Sequence, residues 1–134
     1  MREEKTQQYN LYYPADINPK IVELFHRAIK LVNTLTDLKH KKATITFVRN
    51  NKFTVDLVIR DRLAEYWRDM IVYNLDKIEQ KDELSLSIIL LEELVHCYCD
   101  TLDEKITGLI VASLIPDIIF DILSMSYKKA GKTI

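Results

Sequence analysis

Apolar residues recur at helical spacing once the chain has passed its first 17 residues. Residues 1–17 are polar and contain several tyrosines, and we expect them to form an N-terminal arm that lies on the surface or on a partner. Asn18 and Pro19 are suited to be the N-cap and the first residue of a helix. The apolar positions that follow predict a first helix ending near Leu38. We expect residues 18–134 to form a single domain.

Two stretches with strand-like alternation follow this helix. Residues 43–49 and 53–60 alternate in character on either side of a short run of turn residues, which predicts a β-hairpin. Met70–Asn74 predicts a third strand. Between them, residues 60–68 are charged and compatible with a short helix or an irregular crossing, and residues 76–83 predict a polar loop.

The second half of the chain has the pattern of three helices. Residues 84–100 are strongly apolar, residues 104–115 form the next apolar segment, and residues 117–129 carry apolar positions on one side after Pro116. The order is therefore one helix, a small antiparallel sheet of about three strands, and three helices. This order predicts an α+β fold.

Composition limits the classes of protein that fit this pattern. The chain has 134 residues, 48% of them hydrophobic and 29% charged, which is typical of one globular domain. Its 19 basic and 20 acidic side chains give a net charge of −1, so we expect no nucleic-acid partner. Only two glycines are present, which excludes a glycine-rich phosphate loop.

The cysteines and the absence of long apolar runs indicate the cellular compartment of the protein. Cys97 and Cys99 would face apart on a helix, so we expect no disulfide between them and a reducing cytoplasm as the compartment. The N-terminus lacks the apolar core of an export signal, and no apolar run approaches the roughly 18 residues of a membrane span. We therefore expect a cytoplasmic protein with no membrane partner.

One face of the apolar helix collects side chains that can ligate a metal ion. Glu92 and His96 are four residues apart and project from the same face. Cys99 and Asp103 continue this stripe. Carboxylate, imidazole and thiolate groups all bind Zn²⁺ or another divalent transition metal.

The strand at 70–74, the loop and this helix resemble small zincin-type metallopeptidase domains. In that family the active-site helix has the form HExxH, and in compact bacterial and phage-like members a later glutamate completes the metal shell. The resemblance implies that Glu93 is the general base and that Glu92, His96 and Glu104 are the metal ligands. Asp103 and Cys99 are the alternative ligands.

The motif departs from the family at its first position. Glu92 stands where the family has histidine, so the motif reads EExxH and the site would be more anionic and less favourable for Zn²⁺. We therefore expect a degenerate metallopeptidase homologue, either a protein-binding module or a weak metal-dependent hydrolase. Its tyrosines suit a protein or peptide partner, and its near-zero net charge is compatible with a homodimer.

Two other interpretations stay open. A di-iron helical protein could use Glu23-x-x-His26 and Glu93-x-x-His96, with Asp117 and Asp121 as the bridging carboxylates, although the predicted hairpin has no place in a helical bundle. Alternatively, the glutamates are solvated charges at a helix edge and His96 is a hydrogen-bonded histidine without a ligand.

Overall fold

The computed structural model describes residues 1–38, 41–49, 63–67 and 69–130. The chain folds as an α+β protein, which confirms the predicted class. The elements in chain order are β1 (Arg2–Lys5), β2 (Tyr9–Tyr13), α1 (Pro19–Asn33), β3 (Ala43–Val48), β4 (Ala64–Trp67), β5 (Met70–Asn74), α2 (Leu75–Ile78), α3 (Glu83–Tyr98), α4 (Glu104–Leu114), β6 (Ile118–Asp121) and β7 (Ser126–Lys129).

The main sheet is mixed. Within the described residues it has five strands in the order β1-β2-β3-β5-β4. The three inner strands run parallel, and the outer strands β1 and β4 pair antiparallel to their neighbours. A smaller antiparallel sheet of about three strands was expected instead. The strands at 43–48 and 70–74 are confirmed, whereas the expected hairpin partner at 53–60 lies outside the described residues.

The first residues belong to the sheet, and this corrects the expectation of a surface arm. Leu11 is fully buried and Tyr9 nearly so. The Tyr9 ring packs edge-on against Phe25 of α1, with 5.5 Å between ring centroids. Tyr9, Leu11 and Tyr13 alternate with polar residues, so they lie on the one face of β2 that the helices cover.

Helix α1 begins where its sequence predicts and ends earlier. The side chain of Asn18 accepts a hydrogen bond from the Lys20 N–H at 3.0 Å, and Pro19 opens the helix. At the other end, both the N–H and the hydroxyl of Thr34 donate to the Leu31 carbonyl, which closes the last turn. The helix therefore ends at Asn33, before the expected end near Leu38.

Helices α1 and α3 cover the same face of the sheet. Phe25 of α1 packs edge-on against Phe47 of β3, which in turn stacks on Tyr73 of β5 with 4.9 Å between centroids. The Tyr73 hydroxyl donates to the Leu90 carbonyl of α3 at 2.7 Å. Helix α3 is apolar on most of its sides because it lies between the sheet and the other helices.

No helix in the described part of the chain is long and apolar enough to cross a membrane.

The C-terminal segment is a β-hairpin where a last helix was expected. Strands β6 and β7 pair antiparallel, and the backbone at Asp117 and Met125 takes left-handed φ values of 64° and 54°. The Asp121 carboxylate accepts the N–H groups of Leu123 and Ser124 in the connecting turn. A helix over 117–129 is incompatible with these reversals. Residues 60–68, expected to be a short helix or an irregular crossing, contain β4, and the expected polar loop at 76–83 contains part of α2.

Candidate functional site

The candidate site lies where α3 ends and α4 folds back beside it. Cys99 caps the end of α3 through its N–H, and Asp100 reverses the chain with a left-handed φ of 51°. Asp103 then caps α4, since its carboxylate accepts the N–H groups of Lys105 at 2.9 Å and Ile106 at 3.1 Å. This short connection returns Glu104 to the side of α3.

His96 is fixed in orientation by the connection itself. It is only 8% exposed, and its Nδ1 lies 2.7 Å from the Thr101 carbonyl oxygen. Because a carbonyl only accepts, Nδ1 must carry the proton. The hydroxyl of Thr107 lies 3.3 Å from the same nitrogen and donates to the Asp103 carbonyl. The other ring nitrogen, Nε2, faces the Glu104 carboxylate at 3.4 Å.

Glu92 receives its hydrogen bond from the C-terminal hairpin. The Tyr127 hydroxyl donates to Glu92 Oε2 at 2.8 Å. Burial raises the pKa of Glu92, and the charge of Glu104 raises it further, while the Tyr127 hydrogen bond and His96 lower it. Burial and the charge of Glu92 raise the pKa of Tyr127, so its hydroxyl remains a donor. We call Glu92, His96, Glu104 and Tyr127 the polar cluster.

The remaining predicted site residues have structural contacts. The charge of Glu93 acts on Tyr73, whose pKa is raised first by burial and then by that carboxylate. Asp103 is the N-cap of α4, and Cys99 is the half-buried C-cap of α3 with a pKa raised by burial. The structure therefore brings Glu92, His96 and Glu104 together and places the other three residues in separate contacts.

Within the described residues, the side chains expected to bind a metal ion are engaged in other contacts. Nowhere in residues 1–38, 41–49, 63–67 and 69–130 does a group of three or more His, Cys, Asp and Glu side chains have an arrangement that could hold a metal ion. The Glu92 carboxylate is engaged by a tyrosine hydroxyl, and the Glu104 side chain is 64% exposed. The expected Zn²⁺ or other divalent metal therefore has no fitted set of ligands here.

The residues of the di-iron interpretation are not brought together. Glu23 accepts from Arg27 at 2.6 Å, and His26 Nε2 lies 2.8 Å from Glu4. Asp121 is the last residue of β6, and Lys128 of β7 donates to its carboxylate at 2.8 Å. The mixed sheet also separates this fold from a helical bundle.

Sequence reasoning missed Tyr127 and Thr107. Tyr127 was assigned to a helix, so nothing in the pattern indicated that it would reach Glu92 across 35 positions. Thr107 follows Asp103 by four residues, a spacing at which a threonine hydroxyl can reach the backbone carbonyl one turn earlier.

Exposed apolar side chains are concentrated in the C-terminal elements that also carry Glu104 and Tyr127. Of the 11 large hydrophobic residues exposed in the described chain, seven lie on α4, the hairpin and the connection before α4. We call them the α4–hairpin apolar surface: Leu102, Ile106, Leu109, Ile119, Ile122, Leu123 and Met125. A concentration of this kind is typical of an interaction site.

Comparison with protein-family models, curated proteins and solved structures gave no match for this chain.

Proposed function

We propose that this chain is a zincin-like domain without a catalytic metal site, acting as a protein-binding module. The order of strand β5, helix α3 with its EExxH sequence and helix α4 with its Asp-Glu pair supports the relationship. The observation that carries the proposal is the hydrogen bond from Tyr127 to Glu92. It gives a carboxylate at a motif position a structural role, which is to hold the hairpin on the helices.

The binding surface is the α4–hairpin apolar surface, and its partner is a second copy of this chain. Ile106 and Leu109 are three residues apart on α4, so they lie on one exposed side of that helix, and the exposed Leu102 precedes the helix. A net charge of −1 does little to oppose self-association. A symmetric dimer would bury this surface against its own copy.

Analytical ultracentrifugation of two matched leucine variants tests this surface. Leu109 and Leu35 are both 46% exposed, but Leu35 lies away from the apolar surface, after α1. We expect the wild type and Leu35→Lys to be dimers at about 100 μM and Leu109→Lys to be a monomer, because a charge would be buried in the interface. A monomeric wild type, or equal effects of the two variants, would overturn the proposed surface.

A weak metal-dependent hydrolase is the second candidate. It is favoured by the proton on His96 Nδ1, since metal-bound histidines commonly donate their second ring N–H to a carbonyl. In that case Glu93 would act as the base. Stoichiometric metal in the purified wild type, together with peptidase activity lost in Glu93→Gln, would establish this candidate and reject the non-catalytic one.

Restoring the first motif position tests the zincin-like relationship. Glu92→His gives the HExxH sequence, and we expect it to bind Zn²⁺ at least about tenfold more tightly than Glu92→Gln, because imidazole is a better zinc ligand than an amide. Isothermal titration calorimetry would measure both variants. Equal affinities would count against a zincin-like arrangement of α3 and α4.

The proposed compartment is the cytoplasm. Cys97 and Cys99 are both free thiols, as is usual where glutathione keeps cysteines reduced.

A further inference from the structure

A cavity of about 630 Å³ lies between α1 and the two N-terminal strands, remote in sequence from the polar cluster. Helix α1 contributes Val22, His26 and Lys30, which lie one turn apart on one stripe. Strands β1 and β2 contribute Arg2 and Tyr13, which are paired opposite each other. This volume lies within the range of small-molecule sites, about 300 to 1,000 Å³.

Part of the charge at this cavity cancels internally. Arg27 donates to Glu23 at 2.6 Å and to Glu83 at 3.1 Å. Lys20 lies 3.8 Å and 3.7 Å from the same two carboxylates. Two cations and two anions therefore form a neutral network, of which Glu23 and Arg27 line the cavity.

Arg2 and Lys30 supply the uncompensated positive charge. Both line the cavity, and among the described residues neither has a carboxylate within ion-pair distance. Glu4 is the neighbouring anion, and it is engaged by His26 Nε2 at 2.8 Å and by the Tyr13 hydroxyl at 3.4 Å. The cavity therefore presents two cations to any ligand.

The rest of the lining is apolar. Ile17, Pro19, Val22 and Ala15 face the same space, together with the ring of Tyr13. Such a wall favours a ligand with a hydrophobic or aromatic body in addition to its charge. The hydrogen bond from the Tyr13 hydroxyl to Glu4 holds the Tyr13 side chain in place.

We propose that this cavity binds a small organic anion, namely a carboxylate or phosphate monoester with an apolar or aromatic body. Arg2 and Lys30 attract the anionic group, and Tyr13, Ile17 and Val22 contact the body. Guanidinium and ammonium groups are the usual protein donors to carboxylate and phosphate. This inference is independent of the proposed dimer and of the polar cluster.

Protein NMR on the full chain tests the proposal with four probes: benzoate, phenyl phosphate, inorganic phosphate and benzyl alcohol. We expect saturable shifts at Tyr13, Val22 and His26 with the two aromatic anions. Inorganic phosphate tests the charge alone, and benzyl alcohol tests the aromatic body alone. Both should bind at least about tenfold more weakly, since each lacks one half of the recognition. No saturable shift at these residues with either aromatic anion would overturn the proposal.

Three matched charge variants test the assignment to Arg2 and Lys30. Arg2→Gln and Lys30→Gln remove exposed side chains, so folding is not at risk, and each should weaken benzoate and phenyl phosphate binding about threefold. The double variant should weaken binding about tenfold. Lys77→Gln, on α2, is the control and should bind as the wild type does. An equal loss in Lys77→Gln would show non-specific attraction and would overturn the proposal.

Discussion

At the Glu92 carboxylate, burial and hydrogen bonding act in opposite directions. Burial raises its pKa above the ordinary value of 4.5, and the Tyr127 hydroxyl lowers it. The folded state holds the proton of the Glu92 carboxyl more tightly than the unfolded chain does. The stabilisation that this carboxyl contributes to the fold is therefore greatest below about pH 4.5. It declines as the pH rises through the raised pKa.

Tyr127→Phe should make this decline with pH steeper. The substitution removes the hydroxyl that stabilises the ionised carboxylate, so the pKa of Glu92 should rise further. We expect a loss of about 2 kcal/mol in unfolding free energy at about pH 7.5 and about 1 kcal/mol at about pH 4, since hydrogen bonds to charged groups are the stronger ones. Urea unfolding at the two pH values measures the difference.

Tyr12→Phe is the matched control for this measurement. Tyr12 lies on β2, far along the chain from the polar cluster, so its loss should be small and the same at both pH values. A deficit for Tyr127→Phe that is independent of pH would show that its hydroxyl does not interact with an ionising group.

The sequence predicted the neighbours of His96 better than it predicted their roles. Helical spacing places Glu92 one turn before His96, and a short connection brings Glu104 back. Both relationships join residues that are close in the sequence, so the residue pattern can predict them. The sequence makes Asp103 an alternative ligand, but its place before an apolar run is also the signature of an N-cap, and that is its role in the structure. Tyr127 depends on a tertiary contact and had no local signal.

At the scale of elements, the C-terminal hairpin shows how one pattern can fit two structures. The apolar residues at 118, 119, 122 and 123 have helical spacing, yet Ile118 and Phe120 also alternate along one face of a strand. The left-handed residues Asp117 and Met125 decide for the hairpin. Few non-glycine residues adopt this conformation, so it is difficult to predict from the residue pattern.

Gly108 of α4 is the contact point for this hairpin. A Cβ added there would overlap three atoms of the Phe120 ring, which also packs edge-on against Tyr127 at 5.1 Å. Glycine is otherwise a poor helix residue, and replacing it with alanine in a helix gains about 1 kcal/mol. Its presence in α4 therefore gives β6 a close approach to the helix.

Gly108→Ala should change the sign of its effect when Phe120 is shortened. In the wild type we expect a loss of about 1 to 3 kcal/mol, because the ring and the hairpin must move away. In a Phe120→Ala background the same substitution should stabilise by up to about 1 kcal/mol. Thermal unfolding of the four proteins gives this double-mutant cycle. The same sign in both backgrounds would contradict the packing of Phe120 against α4.

At the scale of the whole molecule, the N-terminal strands extend the main sheet by one parallel and one antiparallel strand. Strand β2 pairs in parallel with β3, with Tyr9 opposite Ala43, and the Tyr98 hydroxyl at the end of α3 donates to the Gln8 carbonyl at 2.7 Å. Parallel pairing needs a crossover, which α1 provides. The sequence predicted α1 and β3 individually. A tyrosine-rich polar segment gave no sign of its partner beyond the helix, because strand pairing at this distance is not a local property.

Truncating two leucines that differ in burial tests whether these strands belong to the core. Leu11 is fully buried on β2, whereas Leu35 is 46% exposed. We expect Leu11→Ala to lose about 2 to 4 kcal/mol of unfolding free energy, since it removes apolar contacts and leaves a cavity. Leu35→Ala should lose less than about 0.5 kcal/mol, as surface substitutions usually do. Denaturant titrations compare the two variants with the wild type. If residues 1–17 were an arm outside the core, both losses would be small, and the five-stranded sheet would not be the cooperative unit of the fold.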